Sequence, residues 1–179
     1  MADGESDDLV IHHPNREKGG SKATKAGTIL LLLATAALVA IITIGGWASL
    51  EGAQVISIFF IIVFALMAFF VARWNRGVLP LASAFAIVLL VFAAIAAPGW
   101  FDRDAGGYDN PGLPPGLLGL LTVLLIPLEF LLIVFAMRGF SQKWNVEVEM
   151  SREEYERRGR DGTRGEGGAP PYQPQAQRG

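Results

Sequence analysis

The chain of 179 residues has no cysteine. That absence excludes disulfides, Cys-ligated zinc, iron–sulfur clusters and thiol nucleophiles together. Histidine is nearly as scarce: His12 and His13 stand side by side in a polar N-terminal stretch. With no histidine in any apolar run, an intramembrane bis-His haem is excluded, and two neighbouring imidazoles without further ligands do not make a metal site. The net charge of −2 is too small to draw nucleic acid. There is no Gly-x-Ser-x-Gly elbow, no glycine-rich phosphate loop with its lysine, and no second catalytic group within the apolar runs. The chain therefore reads as a non-enzyme without metal or cofactor.

What the chain does have is hydrophobic length: 51% of its residues are hydrophobic. Between residues 26 and 137 the only charges are Glu51, Arg73, Arg76, Asp102, Arg103, Asp104, Asp109 and Glu129. All but Glu129 fall in three short breaks, so the runs between them predict membrane spans at 27–49, 54–72, 78–97 and 115–137. At about 1.5 Å per residue each is about 28–35 Å long, enough for a hydrocarbon core of about 30 Å. The runs are continuous rather than alternating, so they are helices and not barrel strands. A basic stretch before residue 27 resembles a cleavable signal, but the apolar run is longer than such a signal needs, and a retained first span is expected.

Short links at 50–53, 73–77 and 98–114 predict an all-α, up-down-up-down bundle of four transmembrane helices. Basic residues set its orientation. Arg103 is alone on one side; the N-terminal arm, the second link and the C-terminal tail share all the others. The positive-inside rule then puts both termini in the cytoplasm. Trp47, Trp74, Trp100 and Trp144 fall near the span ends and are read as interfacial anchors. The arm 1–26 and most of the tail 138–179 are expected to be disordered. In the tail, the alternation over 144–150 suggests one strand, with nothing in the chain to pair with. Ser151 with Glu154 has capping-box spacing for a short charged helix to about residue 158. The loop 102–110 lacks the EF-hand ligand pattern and reads as a turn.

Glu129 is the only ionisable residue in any of the four runs. An intramembrane carboxyl is costly and normally faces the bundle interior. It lies eight residues inside Met137, roughly 12 Å from the helix end. Eight residues into the first span is Thr35; Ser83 lies slightly nearer the end of the third. Thr122, Glu129 and Ala136 recur every seven residues as one stripe, and Gly112, Gly116 and Gly119 extend a small-residue surface. Pro127 removes a helix hydrogen bond two residues away and predicts a kink. Two readings follow. Glu129, with Thr122, Thr35 and Ser83, is either interhelical glue or a proton or cation site. The first makes the chain a non-catalytic accessory or structural subunit, contacting the lipid bilayer and a protein partner or second copy through its helix faces. The second makes it a small proton- or cation-coupled transporter or channel component.

The cytoplasmic arm, four tight spans, Gly/Pro-rich tail and high alanine and glycine content together resemble the small uncharacterised multi-pass membrane proteins common in high-GC actinobacteria. That resemblance implies a bacterial plasma membrane and no particular activity. Small multidrug transporters also have four spans and a membrane glutamate, but theirs lies in the first span, where this chain has none, so their function is not carried over.

Overall fold

The computed structural model describes residues 9–50, 52–103, 111–151 and 157. The elements in order are β1 (Leu9–His12), α1 (Pro14–Glu17), α2 (Gly19–Gly45), a 3-10 turn (Trp47–Ser49), α3 (Gln54–Ala72), α4 (Val78–Asp102), α5 (Pro115–Ser141) and β2 (Val148–Ser151). The expected turn at 104–110, the charged helix after Ser151 and the Gly/Pro-rich end lie outside the described residues.

Helices α2, α3, α4 and α5 are each long and apolar enough to cross a membrane. They belong to a helical body, Asn15–Val146. Its interior follows a three-four residue spacing. On α5 the buried positions include Leu118, Thr122, Leu125, Glu129, Leu132, Ala136 and Gly139. On α4 they include Leu79, Ala82, Ala86, Leu89, Ala93, Ala97 and Trp100. A seam of this spacing keeps one face turned to a neighbouring helix along its whole length. The alanines of α4 let the two backbones approach, and α4–α5 is the most extensively packed pair. Helix α2 packs on both α3 and α5. Between α3 and α4 the spacing is filled by rings: Phe60 meets Phe85 and Phe92 edge-on at 6.2 and 6.0 Å between centroids. Helix α3 is the least buried of the four; Phe59, Phe69 and Phe70 point outward while Phe60 and Phe64 are core.

Four helix ends differ from the sequence reading: both ends of α2, the end of α4 and the end of α5. Helix α2 starts at Gly19, because Ser21 and Thr24 are already buried against the body. Helix α4 does not stop at Ala97 but runs through Pro98 to Asp102. One backbone bond is lost at the proline. The extra turn recovers this by burying Trp100, whose ring lies where a Cβ on Gly46 would sit, 2.4 Å away, and by seating Phe101 over Gly119. Helix α5 is likewise continuous through Pro127. At this end of the body Leu113 N–H donates to the Gly45 carbonyl at 3.0 Å, fastening the segment before α5 to the end of α2.

The second unit contains the two strands. Here the expectation of an unpaired strand is corrected: β2 pairs with β1 antiparallel, with Leu9 opposite Ser151 and His12 opposite Val148. The partner lies in the N-terminal arm, where four residues between polar stretches carry too weak a local signal to be recognised as a strand.

Candidate functional site: the buried Glu129 and the tryptophan end of the bundle

Glu129 has no exposed surface. It occupies one step of the α5 seam, with Leu125 and Leu132 above and below it. Thr35, also fully buried, faces it from α2. The Thr35 hydroxyl donates to Glu129 Oε1 at 2.7 Å. The other carboxyl oxygen, Oε2, is buried with no hydrogen-bond partner among the described residues. An unsatisfied buried acceptor of this kind costs about 1–3 kcal/mol, so half of the group is satisfied and half is not.

The other two residues singled out from the sequence do not reach the carboxyl. Thr122 donates to the Leu118 carbonyl at 2.8 Å and Ser83 to the Leu79 carbonyl at 3.2 Å, each one turn back in its own helix. Thr28 and Thr43 do the same, at 2.8 and 2.7 Å. A hydroxyl in an apolar helix satisfies itself this way without a partner helix. The polar stations that sequence spacing suggests are therefore turned inward onto their own backbones, and Thr35 alone is spent on Glu129.

The tryptophans divide. Trp47 is exposed and Trp74 half-buried, whereas Trp100 and Trp144 are buried in the body. Trp144 has no exposed surface; its indole N–H donates to Gln142 Oε1 at 3.0 Å, and its ring meets Trp74 edge-on at 5.3 Å. Gln142 in turn donates to the Thr24 hydroxyl at 3.0 Å, tying the end of α5 to the start of α2. Arg16 Nε donates to the Trp144 carbonyl at 3.0 Å, and Arg76 Nε to the Phe140 carbonyl at 2.7 Å. The cluster draws on four chain segments. In the sequence its only trace is two tryptophans and several cations at like positions relative to span ends.

The fold defines the class of protein: a mostly helical chain, not an all-α one because β1 and β2 pair, with four helices long and apolar enough to cross a membrane. No family model matches the chain, and no curated protein or solved structure does either.

Proposed function

We propose that the chain is an integral membrane protein acting as a non-catalytic accessory or structural subunit, an up-down-up-down bundle in a bacterial plasma membrane with both termini cytoplasmic. One observation carries the role: the single intramembrane carboxyl is enclosed between α2 and α5 and held by Thr35, while the neighbouring hydroxyls bond their own helices. A polar pair of this kind fixes which faces of two apolar helices meet. Outward the helices offer Leu30, Ile44, Val55, Ile95, Leu120 and Phe130, surface suited to lipid or to partner helices. The pairing of β1 with β2 supports placing both tails on one side, in line with the basic residues.

The role is tested by mild-detergent pull-down of the tagged protein at native expression, with mass spectrometry. A defined partner or a stable homo-oligomer is expected; a clean monomer overturns the reading. A double-mutant cycle of Thr35→Val and Glu129→Leu should return a coupling of about 0.6–1.7 kcal/mol in a reversible micellar unfolding assay, the range of interhelical hydrogen bonds in a bundle. A coupling near zero would mean that the bond does not hold α2 on α5. Topology has its own check. A reporter after Gly179 and one inserted between residues 104 and 110 should report opposite sides of the membrane.

The unpartnered Oε2 favours a second reading, a proton or cation site used in transport. Its signature would be a pH-dependent flux in liposomes that Glu129→Gln abolishes while folding and assembly stay intact.

A further inference from the structure

At the end of the body where Trp74 and Trp144 meet, the body's own positive charge is concentrated. Arg16, Lys18, Lys22, Lys25, Arg73, Arg76, Arg138 and Lys143 all belong to segments that end there, and Glu17 is the only acidic residue of the body among them. Most of these cations are exposed. Arg16, Lys25 and Arg76 are half-buried instead; Arg76 lies over the Phe140 ring, whereas Arg16 and Lys25 lie on one indole. The Lys25 ammonium sits 4.1 Å from the Trp74 ring centroid and the Arg16 guanidinium carbon 5.9 Å from it.

Two cations brought together need a reason, since like charges repel and each cation–π contact returns only about 0.5–1 kcal/mol at an exposed site. Their donors are also left over. Arg16 spends Nε on the Trp144 carbonyl and Nη2 on Asn145 Oδ1, at 3.0 and 3.4 Å, which leaves Nη1 without an acceptor among the described residues. Lys25 has no acceptor and no carboxylate among those residues.

The backbone is shaped to hold this arrangement. Trp74 takes φ 62, a left-handed conformation. It closes α3 with the paired bonds Trp74 N–H to the Val71 carbonyl and Asn75 N–H to the Phe70 carbonyl, at 2.9 and 3.1 Å. Glycine is the usual residue at that step, and a side chain there costs about 1–2 kcal/mol. Tryptophan in that place sets its indole edge-on to Trp144 and against the two cations. Lys143, at φ 49, turns the chain after α5 in the same way and delivers Trp144.

From these observations we infer that Arg16, Lys25 and Trp74 form a binding site for the phosphate of an anionic phospholipid headgroup. The unused guanidinium and ammonium donors take the phosphate oxygens, and the indole carries the glycerol and acyl region beside the apolar ends of α2 and α3. A lipid is the source because the site lies at the ends of helices apolar enough to span a bilayer, where headgroups stand. The inference rests on the membrane reading and not on the accessory role.

The test uses the full-length protein in detergent with equal amounts of phosphatidylglycerol or phosphatidylcholine, and native mass spectrometry to count retained lipid. Wild type should keep phosphatidylglycerol several-fold better than phosphatidylcholine. The pair Arg16→Gln and Lys25→Gln should remove that preference, while Arg138→Gln, an exposed cation of the same end, should leave it. Equal retention of the two lipids, or an equal loss from Arg138→Gln, overturns the site in favour of a diffuse basic collar. Displacement of the lipid by an equimolar amount of inorganic phosphate also overturns it, because the site then takes free anion.

A readout on the unaltered protein guards against misfolding of the variants. Phosphatidylglycerol, and not phosphatidylcholine, should protect Lys25 from an amine-acetylating reagent, as measured by peptide mass spectrometry. No protection overturns the site. Release of the wild-type protein from membranes by alkaline carbonate would instead overturn the membrane reading, and the lipid site with it.

Discussion

Trp144→Ala should cost about 3–5 kcal/mol of stability, the range for removing a fully buried aromatic side chain. Three contacts go at once. The indole N–H bond to Gln142, at 3.0 Å, frees a group that itself anchors Thr24 of α2. The edge-on contact with Trp74 leaves that ring without its support. The space over Gly139 opens as well, because the Trp144 ring lies where a Cβ on that glycine would come within 3.0 Å. Trp144→Phe should recover more than half of the loss, since it keeps a ring and forfeits the donor and part of the indole's volume. Reversible unfolding in mixed micelles measures both. A loss for the alanine variant of under about 1 kcal/mol, the scale of a surface substitution, would mean that Trp144 is not the packing centre of this end.

Ala86→Leu should have the next largest effect, a destabilisation of about 1–3 kcal/mol from overpacking. Ala86 is fully buried on the α4 seam, and α4–α5 is the most extensively packed helix pair. Three extra carbon atoms there must push the helices apart along a seam that also carries Ala82, Ala93 and Ala97. Ala84→Leu supplies the control. It makes the same substitution two residues away on the exposed side of the same helix, so its effect should stay within about 0.5 kcal/mol. Equal effects at the two positions would show that α4 and α5 do not meet on this face.

The Glu129 site is partly legible in the sequence. A lone carboxyl in an apolar run must turn inward, and counting eight residues from each helix end leads to Thr35, which does donate to it. The same count offers Ser83 and, along the stripe, Thr122. Neither reaches the carboxyl, because a hydroxyl can always bond the carbonyl four residues back and sequence spacing does not reveal which way it rotates. The stripe of Thr122, Glu129 and Ala136 does lie on the buried seam, since seven-residue spacing is a property of the helix itself.

Other features depend on contacts that no local pattern encodes. Pro98 reads as a stop, yet α4 passes through it because Trp100 and Phe101 find glycines to pack on. Trp100 and Trp144 read as interfacial anchors by their place near span ends, but position along a helix does not say which way an indole faces. The strand Val148–Ser151, which the alternation over 144–150 suggests, has a partner more than a hundred residues earlier, and that partner is too short to announce itself.

By itself, the sequence determined that four apolar helices long enough to span a membrane would form, and that one carboxyl would lie among them. Hydropathy and helix length are local quantities, summed over some twenty residues at a time. The tertiary structure alone decided which hydroxyl meets Glu129, leaving Oε2 without a partner among the described residues, and which tryptophans are core. It also decided that Arg16 and Lys25 share one indole. Those outcomes turn on the rotation of each helix about its axis and on rotamers, which are settled only when neighbouring side chains compete for the same space.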